Sequence, residues 1–145
     1  MAYLPDIVIT KPNHDALSRF VDYRALAFSQ VAEFLERELE RANLVDPQEV
    51  PCDVVTMNSL VRFQIQPDGK PRTITLVYPE QADLLKGRLS VLTPVGVALL
   101  GVAAGQSMDW VDRTGDVKTL KVQQVIYQPE AGGGLEAAKT SASAD

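Results

Sequence analysis

At 145 residues the chain has room for one ordinary domain, and 46% hydrophobic against 23% charged residues is enough apolar material for a core of its own. A formal charge of −5 argues against a chain held to nucleic acid by its overall field, so direct DNA binding is not expected, although net charge does not say where individual charges sit. One cysteine, Cys52, excludes an internal disulfide, and the apolar runs are too short to span a bilayer, so the expectation is a soluble cytoplasmic protein with no membrane partner.

In chain order, Ile7-Val8-Ile9-Thr10 reads as a brief strand. Helix signals start between Thr10 and Asn13, with Pro12 tolerated in a first turn and Asp15 near its positive end. Leu17, Phe20 and Val21 keep helical spacing, and Phe28, Val31, Leu35, Leu39 and Ala42 form a second apolar stripe. The other face of that second segment is charged: Glu33, Glu36, Arg37, Glu38, Glu40 and Arg41. Residues 13–42 admit two readings, a single helix about 45 Å long or an antiparallel hairpin turning near Asp22 to Ser29. The hairpin is preferred because its two stripes bury each other.

Asn43 to Pro51 reads as a connector, since Asp46-Pro47 and Val50-Pro51 push the chain out of helix. Strands are expected at Val54-Val55-Thr56, Val61 to Ile65 and Thr73 to Val77, the last two joined by the turn Pro67-Asp68-Gly69-Lys70. The stretch from Tyr78 to Gly101 then organises the rest. It runs through a short helical segment to Gly87, a strand Leu89 to Leu92, and a short helix after Thr93-Pro94. There Thr93 is placed to cap the helix, Pro94 suits its first position, and Gly101 suits its left-handed end. Ser107 to Val111 and Lys118 to Tyr127 are two further strands, with a bulge expected where alternation breaks at Gln123-Gln124. From Ala131 the composition is that of a flexible tail. The fold class is therefore α+β: a helical arm in residues 1–44, then a small antiparallel sheet with one short helix in residues 45–130, then a tail over 131–145.

Catalytic chemistry finds little support. His14 and Cys52 are each the sole residue of their type and fall in different elements; Cys52 reads as a small hydrophobe and His14 as a surface residue at a helix start. No CxxC, HxxxH or phosphate loop occurs, so no cofactor and no metal are expected. Glu33, Glu36 and Glu40 share a helix face, but Arg37 and Arg41 interleave with them, the pattern of a solvated surface. Phe63 and Trp110 read as core aromatics. A non-enzyme is expected.

Glu80, Ala82-Asp83, Gly87, Leu89-Ser90-Val91, Thr93-Pro94-Val95-Gly96, Leu99-Leu100-Gly101 and Val122-Val125-Tyr127 together resemble the C-terminal domain of the transcript-cleavage factors GreA and GreB. Pro51 to Ser59, PCDVVTMNS, resembles a segment of the family's short branch labelled regulator of nucleoside diphosphate kinase (Rnk). The likeness covers most of residues 7–128. It implies an FKBP-like fold without prolyl isomerase function, and RNA polymerase as partner, gripped at the rim of the secondary channel. Thr93 and Pro94 are then the contact, with Val95 and Gly96 shaping the corner, and Asp22 is the acid near the arm tip. The family's arm is about twice as long and more acidic at its tip, so the resemblance implies docking without stimulation of transcript cleavage. The branch label implies the alternative of a protein-interaction module acting, directly or indirectly, on nucleoside diphosphate kinase.

Overall fold

The structure is a computed structural model that describes residues 4–22, 30–66, 69–111 and 114–133. Its elements are β1 (Val8–Thr10), α1 (Lys11–Asp22), α2 (Gln30–Arg41), β2 (Asn43–Val45), β3 (Leu60–Gln66), β4 (Pro71–Val77), β5 (Arg88–Ser90), α3 (Pro94–Leu99), β6 (Ser107–Val111), β7 (Val117–Tyr127) and α4 (Pro129–Gly133). Single 3₁₀ turns stand at Pro47–Glu49, Pro79–Gln81 and Leu84–Lys86. The result is a mixed α+β fold with one curled sheet in the order β5-β4-β3-β7-β6 and a separate pair, β1-β2.

The start of α1 follows from Thr10, whose Oγ1 accepts the Asn13 amide at 3.3 Å. α1 and α2 pack on each other, and β1 pairs in parallel with β2, Val8 opposite Asn43. The chain thus leaves β1 and comes back beside it, which a single straight helix over 13–42 does not allow. The expected turn lies at residues 23–29, outside the described residues, and so does Phe28 of the expected stripe. The connector expected at 43–51 gives up its first three residues to β2, because the Asn43 amide reaches the Ile7 carbonyl at 2.9 Å.

The sheet is mixed rather than wholly antiparallel. β3 pairs antiparallel with β4 and β7, and β6 with β7, but β4 and β5 run parallel. Between Val77 and Arg88 the chain spends two 3₁₀ turns crossing back to the level of Thr75 in β4, a connection too long for a tight reversal. No strand forms at Val54-Val55-Thr56, only an isolated bridge from Val54 to Ala103. Val55 is engaged on both sides, its amide donating to Val102 at 3.0 Å and its carbonyl accepting from Gly101 at 2.8 Å. Directly afterwards Asn58 takes φ 69° and the chain turns. β5 ends at Ser90, short of Leu92, because the Ser90 Oγ accepts the Leu92 amide and bends the chain. The bulge is real: Arg62 faces Gln124 while Phe63 faces Val122, which leaves Gln123 as the extra residue. A second shift leaves Ile126 unmatched between Val125 and Tyr127. At the far end, α4 takes up the first residues of the expected tail, and residues 134–145 lie outside the described residues.

One core joins arm and sheet. Ile7, Ile9, Leu17, Leu35 and Leu39 cluster with Phe63, Leu76, Met108, Trp110, Leu120 and the buried face of α3. The charged face expected on α2 needs correction at two residues. Glu38 stands three after Leu35 and beside Leu39, so helical geometry places it on the buried stripe, where it is 3% exposed. Arg41 makes that burial tolerable: its Nε and Nη2 donate to the two Glu38 carboxylate oxygens at 2.9 and 2.8 Å. The same guanidinium donates to the Pro5 carbonyl at 2.6 Å and touches the Met108 sulfur, clamping the N-terminal lead-in, α2 and β6 together. Arg41→Met leaves the Glu38 carboxylate buried and unpaired, and is expected to cost about 3–5 kcal/mol in a urea titration. The double replacement Glu38→Met with Arg41→Met is expected to recover most of that loss, because it removes the stranded charge.

Candidate functional site

The corner after β5 is built from side chains that close on their own backbone. Thr93 has extended geometry (φ −132°, ψ 156°), and its Oγ1 accepts the Gly96 amide at 3.0 Å while donating to the Ser90 carbonyl at 2.8 Å. Pro94 occupies the first position of α3, as its fixed φ favours. Gly96 is required by contact rather than by conformation: a Cβ there would lie 2.3 Å from the Ser90 carbonyl oxygen and 2.8 Å from the Val91 Cα. Gly96 to Leu99 are buried, so the surface offered by the corner is limited to the half-buried Leu92, Thr93, Pro94 and Val95. Of the residues expected to meet a partner, Gly96 therefore acts through shape alone.

α3 ends at Gly101, whose φ of +80° is the left-handed turn expected there. Its amide donates to the Val55 carbonyl, and its carbonyl accepts the Val8 amide at 3.1 Å. A Cβ at this position would stand 2.9 Å from the Ile7 Cβ. The corner helix is thereby sewn to the strand that starts the arm.

A second set of contacts fixes the base of the arm against this stretch. Phe20 of α1 stacks on Tyr78, with ring centroids 5.8 Å apart and 22° between the planes. The Met57 amide donates to the Asn13 Oδ1 at 3.2 Å, and the Asn13 side chain also hydrogen-bonds Tyr78. Behind them, the Thr56 hydroxyl donates to Glu130 at 2.7 Å and lies 2.9 Å from the Ser59 hydroxyl. Gln128 is 3% exposed and spans the Pro51 and Val54 carbonyls through its Nε2. The sequence marked PCDVVTMNS as a signature; its structural role is to hold α1, Tyr78 and the segment after β7 together. Asn13, Tyr78, Gln128 and Glu130 were not foreseen, because each acts across more than 40 residues or in an element too short to announce itself.

The remaining expected residues scatter. Asp22 is the last residue of α1, and the tip that follows lies outside the described residues. Cys52 is exposed in a turn rather than packed as a small hydrophobe, and His14 is half-buried in the first turn of α1. Glu33, Glu36, Arg37 and Glu40 are exposed. Phe63 and Trp110 are core residues, as expected. Among the described residues no three His, Cys, Asp or Glu side chains converge as metal ligands would, and no helix is long and apolar enough to cross a membrane. Sequence reasoning also missed Leu84 and Leu85, which are 74% and 100% exposed on a turn that Asp83 caps and Gly87 closes. Two adjacent leucines between Asp83 and Lys86-Gly87, in a stretch too short for a regular element, were the available signal.

The family described as "Transcription elongation factor, GreA/GreB, C-term" matches residues 50–127. A solved GreA/GreB elongation factor from Nitrosomonas europaea superposes with a TM-score of 0.67 at 37% identity, over 85% of this chain and 99% of that one. The chain belongs to the GreA/GreB transcription elongation factor family. Its likeness extends over nearly full length to the regulator of nucleoside diphosphate kinase of Escherichia coli K12, 41% identical over 89% of this chain and 95% of that protein. The GreA of Leuconostoc citreum is 32% identical over 62% of this chain and 58% of its own length. These relatives are named as regulators and elongation factors.

Two outcomes test this geometry. Gly96→Ala forces a methyl group onto backbone and is expected to lower stability by about 1–3 kcal/mol, whereas Thr93→Ala loses about 1 kcal/mol of capping and Thr93→Ser very little; thermal melts read both. Burial raises the Tyr78 pKa above 10.0, with smaller raising effects from Glu130 and Glu80 and an opposing hydrogen bond from Asn13. The unfolded chain then loses this proton first, so the contribution is intact below pH 10 and is lost as pH rises through the folded value. Tyr78→Phe is expected to flatten that part of the alkaline decline in stability.

Proposed function

We propose that the chain is an RNA polymerase-docking transcription regulator that binds the rim of the secondary channel without stimulating transcript cleavage. The observation that carries this reading is the Thr93-Pro94 corner, rigidly capped and half-exposed in a member of the GreA/GreB family. In this reading residues 45–130 are an FKBP-like docking domain, residues 1–44 an antiparallel hairpin arm with Asp22 near its tip, and 131–145 a tail. Thr93, Pro94 and Val95 meet the polymerase, and Gly96 lets the corner close. Leu84 and Leu85 lie on the same stretch and supply apolar surface that water alone does not favour exposing. With 12 residues each, α1 and α2 reach only about 18 Å. A short arm with one acid near its tip suits occupation of a channel entrance better than delivery of a metal ion to a distant active site. On this reading the protein works in the cytoplasm and has no catalytic activity of its own.

A second reading rests on the near-full-length likeness to a regulator of nucleoside diphosphate kinase. There the same surface regulates that kinase, directly or through transcription.

A titration against bacterial RNA polymerase core separates the two. Thr93→Asp with Pro94→Ala keeps a capping acceptor and a helical residue, so α3 is expected to persist while the surface changes. Native binding that the double variant loses by at least tenfold, with no cleavage in stalled complexes, is the expected result. Binding untouched by the variant would remove the corner from the interface. No native binding, together with capture of purified nucleoside diphosphate kinase, would establish the second reading.

A further inference from the structure

The register of the five-stranded sheet gathers positive charge on one face of an acidic protein. Val61, Phe63, Leu120 and Val122 point into the core, at 0, 2, 0 and 0% exposure. The residues alternating with them therefore share the open face. Across that face Arg88 lies in register with Thr75, Leu60 and Tyr127; Arg62 with Thr73 and Gln124; and Lys121 with Gln64 and Ser107. On a regular strand Lys121, Gln124 and Tyr127 would alternate faces, being three apart. The two bulges, at Gln123 and Ile126, bring all three to the open side. Arg62, Arg88 and Lys121 are exposed, and among the described residues none of them is in an ion pair. From the strand spacing and rise they follow a diagonal of about 20 Å. Tyr127, 52% exposed, stands at one end of the uppermost row. Among the described residues, Asp109 on β6 is bonded to Thr119, and Asp83 bridges Arg88 through its backbone while its carboxylate accepts the Leu85 amide.

We infer that this open sheet face binds single-stranded nucleic acid. The net charge of −5 opposes a polyanion at long range, so the attraction must be local: three exposed cations, in no ion pair among the described residues, are strung over about 20 Å, the spacing of a run of phosphates rather than of a single acid. The half-exposed Tyr127 ring gives a base a surface to stack on, and Gln124 and Thr73 give hydrogen-bonding edges between the cations. This assignment is independent of the docking corner, which lies beyond β5, and the polymerase plays no part in its test.

The experiment is fluorescence anisotropy with a labelled 20-nucleotide oligo(U) RNA, and oligo(dT) in parallel to separate RNA from DNA as the source of the strand. Binding on the order of 10⁻⁴–10⁻⁶ M is expected. Three phosphate contacts give a log–log salt slope of about −2, so affinity falls about 15-fold between 50 and 200 mM salt. Arg62→Glu with Lys121→Glu is expected to weaken binding at least tenfold and to flatten the slope. Tyr127→Ala weakens it about fivefold or more while leaving the slope unchanged. Arg88→Gln, on the edge strand, serves as a second charge variant, and melting curves confirm that each variant is folded. Absence of native binding at 50 mM salt, or binding indifferent to the charge variants, overturns the inference. So does equal binding of poly-glutamate that Tyr127→Ala leaves intact, which would assign the face to an acidic protein.

Discussion

The joint between arm and corner turns on one left-handed residue. At Gly101 the chain leaves the buried helix α3, donates to Val55, accepts from Val8, and passes within van der Waals reach of Ile7. Three segments far apart in sequence meet there through backbone hydrogen bonds that a side chain would obstruct. Because Val8 opens the strand that leads into α1, the position of the arm is set by the same peptide unit that ends the corner helix. Arg41 and the Phe20–Tyr78 stack reinforce that joint from two other sides. Arm and sheet thus share one core, in which Leu35 and Leu39 cluster with Met108 and Trp110.

This arrangement bears on how the proposed docking would work. A corner that meets a partner and an arm that points elsewhere are useful together only if the angle between them is kept. Here it is kept by buried apolar contact and by a guanidinium shared among three elements, not by a linker. The polar cluster of Thr56, Ser59 and Glu130 extends the same fixation to the segment after β7.

Much of this was legible in the sequence where a local rule decides the outcome. Thr93, Pro94 and Gly101 announced a capped helix and its end, because capping is chemistry within four residues. The broken alternation at Gln123-Gln124 announced a bulge for the same reason. What was not legible depended on partners distant in sequence. The parallel strands β2 and β5 are three residues each and exist only because Ile7, Thr75 and their neighbours offer a ladder. Glu38 looked like surface because its residue type outweighed its helical position, and only Arg41 in its observed rotamer explains its burial. Val54 to Thr56 had strand composition but no free ladder to join. Thr93 to Gly96 were expected at a partner contact from a family likeness; that Gly96 is buried and has no room for a Cβ follows only from coordinates.

The place of β7 in the sheet has a consequence for biosynthesis. This strand, Val117–Tyr127, sits between β3 and β6 and is second from last among the elements of the chain. Until it leaves the ribosome, β3 has an open edge, β6 has no neighbour in the sheet, and the inward faces of Phe63 and Met108 lack Val122 and Leu120. Pairing residue 60 with residue 127 also closes a loop of nearly half the chain, a slow step by its entropy. The nascent protein must therefore carry an unfinished sheet through most of its translation. An early stop before Val117 would release a chain with no route to the native core.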